Sequence, residues 1–328
     1  MNHDHLRSDE PYELVRTTCK ERVKRLRHLS IDETGLEEFA NKIAQSNREV
    51  IGSVDSDMFL DTDDHLKRIY FVLIADTINF GSGWFPYLKK DNGSSGAVSI
   101  AKALTNYARQ YGLPTPGELT ELTTVAVAQI LGQDTTGEAG ELMDYYRIAL
   151  GQLGTFLIDN YQGEAVHLVE EAAASAGRLI SRLIAIPFFN DYSTEGTDRT
   201  YFYKRAQITA SDIALTSAGQ LRPFDDLDRL TIFADNVLPN VLRVEGVLRY
   251  SDELNQKIAS GKLLTVGESD EVELRAATVV ACESLVETLA IDHRVTITPR
   301  ELDQLLWTMG RSKIYKESPR HRCRCTFY

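Results

Sequence analysis

Cysteine is scarce, with four residues in 328, at Cys19, Cys282, Cys323 and Cys325. That number and spacing exclude a disulfide scaffold and a Cys-x-x-Cys zinc site, and they fit reduced thiols in a cytosol. Long apolar runs are missing as well. The stretches 69–74 and 179–189 are too short or too interrupted by charge to span a bilayer, and the polar start of the chain lacks a signal-peptide core. A soluble, cytoplasmic protein with no membrane partner is therefore expected. Basic charge is in deficit: 36 Lys and Arg face 48 Asp and Glu, for a formal net charge of −12. Nucleic-acid polymers are held by a basic footprint that neutralises many phosphates, so none is expected as a partner. There is no P-loop, dinucleotide fingerprint, Gly-x-Ser-x-Gly elbow or His-Glu-x-x-His motif, and no internal repeat. Asp55, Asp57, Asp61 and Asp63 cluster, but the central glycine and closing glutamate of an EF-hand are absent, so no metal and no cofactor is expected.

What the chain does have is apolar content, 43% of residues, patterned mostly at helical spacing. Helices are predicted over 11–27, 66–80, 138–161, 251–260 and 271–291, the last apolar on more than one side and so central. Ser30 with Glu33, Thr115 with Glu118 and Thr298 with Glu301 read as capping boxes opening helices over 30–43, 115–132 and 298–309. A helix over 164–186 keeps Val166, Val169, Ala173, Ala176, Ile180 and Leu183 in register until Pro187. His167 beside that stripe reads as packed or solvated, not as a ligand. Val295 and Ile297 alternate like a short strand. The fold expected is mostly α, one domain over 1–328 with few short strands, its first thirty residues peripheral.

The informative stretch is 201–243. It holds Phe202-Tyr203-Lys204-Arg205-Ala206-Gln207 and then an apolar run with one carboxylate, Asp235, four residues ahead of Pro239. A carboxylate there sits where a helix must start, bend or stop. It either caps a helix or is held for chemistry, and Lys204 either snorkels to solvent or is drawn partly out of water beside an anion.

Those two motifs, with Pro239, resemble the queuosine salvage family, the queuosine 5'-phosphate N-glycosidases. Further matches follow in order: Ala75-Asp76-Thr77-Ile78-Asn79-Phe80 with Trp84, Leu248-Arg249-Tyr250-Ser251-Asp252-Glu253-Leu254, Glu271-Val272-Glu273-Leu274-Arg275, Leu302-Asp303 with Trp307, and His321-Arg322-Cys323-Arg324-Cys325. They cover roughly residues 67 to 328.

The resemblance implies an N-glycoside hydrolase that releases queuine from queuosine 5'-phosphate, a small-molecule substrate. Breaking the C1'–N9 bond builds positive charge on the ribose, so a fixed carboxylate at C1' stabilises the transition state above the ground state. Asp235 is expected in that role, as nucleophile, base or electrostatic stabiliser, with Lys204 lowering its pKa and keeping it ionised. Asp303 and Trp307, at i and i+4, share the shoulder of a helix whose buried stripe is Leu302, Leu305, Leu306 and Met309. Asp303 is expected at the base edge and Trp307 as a stacking surface; the alternative is a solvated aspartate and a partly buried tryptophan. Phe233, Asn79, Phe80 and Trp84 are expected around the planar base, with Gly81, Ser82 and Gly83 loosening the loop before Trp84. Arg205, Arg322 and Arg324 are expected at the 5'-phosphate. The helical architecture also resembles helix-hairpin-helix DNA glycosylases, which supplies a base-excision enzyme as one alternative; a noncatalytic queuine-binding protein is another.

Overall fold

The computed structural model describes residues 10–46, 48–55, 57–91, 93–217 and 224–328. Among them the chain is mostly helical. In chain order the helices are α1 (Pro11–Val23), α2 (Glu33–Gln45), α3 (His65–Thr77), α4 (Gly96–Tyr111), α5 (Pro116–Glu121), α6 (Thr124–Leu131), α7 (Gly137–Tyr161), α8 (Ala165–Glu171), α9 (Ala176–Leu183), α10 (Lys204–Ser217), α11 (Leu238–Val244), α12 (Asp252–Ala259), α13 (Ser269–Asp292), α14 (Pro299–Gly310) and α15 (Lys313–Lys316). Four short strands pair as two antiparallel ladders, β1 (Leu29–Ile31) with β4 (Leu248–Tyr250) and β2 (Tyr192–Glu195) with β3 (Asp198–Tyr201). No helix of the described residues is long and apolar enough to cross a membrane.

Local chemistry explains most element ends. Thr115 with Glu118 and Thr298 with Glu301 form reciprocal capping boxes, each with proline in the first turn. Ser251 caps α12, and Gly261 follows it in the left-handed conformation at φ 73°. Four expectations are corrected. Ser30 is not a cap: it lies in β1 opposite Arg249, and Asp32 caps α2 by accepting from the amide of Gly35. The helix expected over 115–132 is two, because Leu122 is extended and Thr123 caps a second start. The helix expected over 164–186 is broken between α8 and α9 by Ala173 and Ala174 at φ 46° and 62°, with Ser175 capping the restart. In both cases a hydroxyl cap inside an apolar repeat offers the backbone a competing partner. Val295 and Ile297 form no strand, and the amide of Val295 instead closes back on the carbonyl of Leu289.

Contacts divide the chain into two compact units. The first gathers Met1–Ser53, Asp191–Gln207 and Asp226–Arg324. Its axis is α13, against which α1, α2, α11 and α14 pack. The first thirty residues, expected at the periphery, include α1, whose Tyr12, Val15 and Cys19 are buried. Helix α13 is buried along polar as well as apolar positions: Asp270, Glu271, Glu273 and Arg275 are all interior. Buried charge persists only with partners. Glu273 accepts from the amides of Arg27 and His28 (2.9 and 3.0 Å) and from the hydroxyl of Ser269 (2.8 Å), fixing the turn into β1.

The second unit comprises Val54–Asn190, Ile208–Asp225 and Cys325–Tyr328. Here α7 is the centre, packed by α3, α5, α6 and α8. Gly154 of α7 meets α5 so closely that a Cβ would lie 2.4 Å from the Pro116 carbonyl oxygen.

Candidate active site

Lys204 opens α10, and the turn before it is held by Asp191. The amides of Phe202 and Tyr203 donate to the Asp191 carbonyl oxygen (3.0 and 3.2 Å), and the Lys204 amide donates to Asp191 Oδ2 (3.2 Å). Tyr203 sits at φ 49°, a left-handed conformation that costs a non-glycine residue about 1–2 kcal/mol and persists only where the surroundings over-determine it. Lys204 is 6% exposed, so it does not snorkel to solvent.

Asp235 lies in the segment that leads into α11. Its Oδ1 accepts from the amides of Val237 (2.7 Å) and Leu238 (3.1 Å), which orients the carboxylate in the turn just ahead of α11, whose first turn holds Pro239. The helix start expected from the sequence is there. Asp235 keeps part of its surface accessible, yet burial is the largest influence on it and pushes its carboxyl above the ordinary 3.8. Lys204 pulls the other way, followed by the Leu238 and Val237 amides and then Arg320. Lys204 acts in the expected, lowering direction, but its pull does not reverse the rise that burial causes.

Asp303 is the second carboxyl of the cluster. It lies on the buried side of α14, and its Oδ1 accepts from the amide of Phe233 (2.7 Å). Burial first, then the charge of Asp235, push Asp303 well above 3.8, against the Phe233 amide and Lys204. Two carboxyls sharing one desolvated site cannot both ionise cheaply. Beneath them the Cys282 thiol is raised well above 9.0 by burial and then by Asp303, so it stays protonated.

The structure therefore brings Lys204, Phe233, Asp235 and Asp303 together in the first unit. Trp307 is half-buried, with the Arg311 guanidinium 5.0 Å from its ring centroid. Arg205 is interior at 1% exposure, Arg322 donates to the Gly261 carbonyl (2.9 Å), and Arg324 is half-buried. The guanidinium that acts on Asp235 is Arg320, which the sequence reading passed over within the same basic run. Asn236 holds the adjoining chain by donating to the His321 carbonyl (3.2 Å). The His321 ring is buried, and burial, reinforced by Arg275, lowers its pKa to about 3, so it is neutral.

Asn79, Phe80 and Trp84 belong to the second unit. Asn79 donates to Asp76 Oδ1 (3.4 Å). Phe80 meets Tyr146 edge-on with ring centroids 4.9 Å apart, and the Tyr146 hydroxyl donates to the Phe80 carbonyl (2.7 Å). The indole of Trp84 donates to Glu141 (2.8 Å). Residues 81–83, expected to be a loose loop, are buried, because the chain there packs under Phe85 and Leu142.

Two further residues were missed. Arg275 grips both oxygens of Asp191 (2.9 and 2.6 Å) and donates through Nε to the Ala234 carbonyl (3.1 Å). Arg275 stood inside a motif shared with the family, whereas Asp191 carried no sequence signal at all. No group of three or more His, Cys, Asp or Glu that could hold a metal occurs among the described residues.

The family model described as queuosine salvage protein matches residues 59–328. A protein of Sphaerobacter thermophilus named queuosine 5'-phosphate N-glycosylase/hydrolase is 32% identical over 265 residues, 79% of this chain and 80% of that protein. Proteins of the same name from Mus musculus and Dictyostelium discoideum are 30% and 29% identical, covering 69% and 97% of this chain and 70% and 99% of their own. The matched region contains every residue of the cluster, and on that evidence this chain belongs to the queuosine salvage protein family.

Proposed function

We propose that this chain hydrolyses the N-glycosidic bond of queuosine 5'-phosphate and releases queuine. The observation that carries the reading is Asp235: a carboxylate aimed by two backbone amides, partly accessible, with a buried lysine and an arginine acting on it. Such a group placed at C1' stabilises the cation that develops as the base departs, and it does so without reorganising. Lys204 and Arg320 oppose the rise that burial causes in Asp235, and Arg320 is assigned to the anionic end of the substrate.

The base needs separate help, because a 7-deazapurine carries carbon where ordinary purines accept a proton. Asp303, more deeply buried than Asp235, takes the proton when the two share one. Its Oδ1 is committed to Phe233, so Oδ2 is the atom left for the departing base, as a donor when protonated. Phe233, whose amide is held by Asp303, and the half-buried Trp307 are the aromatic candidates for the planar base.

The test is chromatography of the purified protein incubated with queuosine and with its 5'-phosphate. Free queuine from the 5'-phosphate is the expected product, and its absence defeats the reading. Family membership and a net charge of −12 favour it over a base-excision enzyme, whose substrate is a polyanion. A noncatalytic carrier would bind the nucleotide without turnover and would tolerate Asp235→Asn.

A further inference from the structure

We infer that the buried pair Asp191–Arg275 is the positioning device that sets Lys204 against Asp235, an inference that rests on the function proposed above. Lys204 and Asp235 come from separate elements 31 residues apart, the start of α10 and the start of α11, and neither element fixes the other by local structure. Arg275 joins them. Its two Nη atoms hold the Asp191 carboxylate, whose Oδ2 also takes the Lys204 amide and whose main-chain carbonyl takes the amides of Phe202 and Tyr203. Its Nε holds the Ala234 carbonyl, in the peptide that leads directly into Asp235. The guanidinium also lies 3.9 Å from the centroid of the Phe202 ring, which closes the space on its face.

Both residues are almost wholly buried, at 1% exposure each. A fork with five donors in one plane spans a carboxylate and a carbonyl at once, which a lysine ammonium cannot reproduce. Asp191 in turn stabilises the left-handed Tyr203, the kind of conformation that surroundings must hold in place at a working site. Asp191 and Arg275 are positioning residues. They act through the two residues they aim.

Arg275 also lies 3.8 Å from the buried Glu271 carboxylate, and removing Arg275 alone would leave the Asp191 carboxylate buried without its ion pair, so the informative variant removes both, Asp191→Asn with Arg275→Gln. A misplacement of about 1 Å at a reacting group costs about 100-fold in rate, so kcat should fall by about that factor with KM within about threefold of wild type. The acid limb of the pH profile should move upward as Lys204 withdraws its charge from Asp235. Arg275→Lys, which keeps the ion pair but not the planar fork, should fold and show the same split in weaker form. If the double variant does not fold, Arg275→Lys decides alone. Wild-type kcat, KM and acid limb in the folded variants would overturn the inference, as would a loss of activity that only tracks the unfolded fraction. A wild-type protein that releases no base is a failure of the proposed function instead. In that case a crystal structure of the double variant is decisive, since Tyr203 and the Ala234 carbonyl left in place would overturn the positioning role.

Discussion

The side-chain amide of Gln207 closes a two-way clasp on Thr231: its Nε2 donates to Thr231 Oγ1 (2.8 Å), and its Oε1 accepts from the Thr231 amide (2.9 Å). Gln207 Nε2 also donates to the Phe202 carbonyl (3.0 Å). The last residue of one family motif is thereby tied to the segment that carries the other, and with Arg275 it makes the floor on which Lys204 and Asp235 are set. A fully satisfied buried network of this kind rigidifies its surroundings, which suits a site that must stabilise a charge without reorganising.

Asp235→Asn keeps the size of the side chain and an acceptor for the Val237 and Leu238 amides, so the turn leading into α11 should be retained. What goes is the negative charge. Base release should fall by about 10³-fold or more, a loss of about 4 kcal/mol of transition-state stabilisation, while nucleotide binding survives. Single-turnover release of queuine, measured beside equilibrium binding of the 5'-phosphate, checks both halves; undiminished turnover removes Asp235 as the catalytic group.

Lys204→Met removes the cation that most opposes the rise in the Asp235 pKa. Burial then acts with less opposition, and a higher pH is needed to ionise the acid. The acid limb of kcat/KM is expected to move to higher pH, with activity at neutral pH down by about 10²-fold. A pH profile whose acid limb stays where it is in wild type would separate Lys204 from Asp235.

Asp303→Asn should stabilise the fold at neutral pH. The sign follows from the direction of the shift: Asp303 is raised well above 3.8 in the folded chain, so the folded state binds its proton more tightly than the unfolded state does. The stability this group contributes is full below about pH 3.8 and is lost as pH rises through the folded-state value. An asparagine accepts from the Phe233 amide without needing a proton. The expected gain is on the order of 1 kcal/mol, about 2–4 °C in Tm, at pH 7, vanishing toward pH 4. Thermal melts of both proteins across pH test it, and a gain that is independent of pH would contradict the assignment.

Two glycines test the packing. At Gly35 in α2 a Cβ would lie 2.2 Å from the carbonyl oxygen of Gly246, backbone against backbone, so Gly35→Ala should destabilise by about 1–3 kcal/mol. Gly117 in α5 has open space around a Cβ and no left-handed backbone, and Gly117→Ala should be neutral or stabilising by about 0.5–1 kcal/mol. Urea denaturation of the two variants should show this contrast.

Much of this molecule is written locally. The capping boxes at Thr115 and Thr298, the helix start at Asp235 and Pro239, and the long central helix near 271–291 are legible because a hydroxyl, a carboxylate or an apolar period acts within a few residues of itself. The family motifs likewise name Lys204, Asp235 and Asp303. The breaks at Leu122 and at Ala173 and Ala174 are not legible from apolar spacing, since the same hydrophobic stripe serves one helix or two. Asp191 is silent for a deeper reason: an aspartate in a connecting segment looks solvated until Arg275, 84 residues on, is folded against it.

The order of residues by itself determined that the chain is mostly helical, which acids and bases carry the family's pattern, and that one carboxylate stands at a helix start. Only the tertiary structure decided which charges are out of water and what faces them: that burial outweighs Lys204 in setting the Asp235 pKa, that Asp303 is coupled to it, that Arg320 is the arginine in electrostatic reach, and that Arg275 ties the two motifs together. Helix propensity and capping act between neighbours in the chain, whereas desolvation and charge coupling depend on distances between residues that the sequence sets far apart.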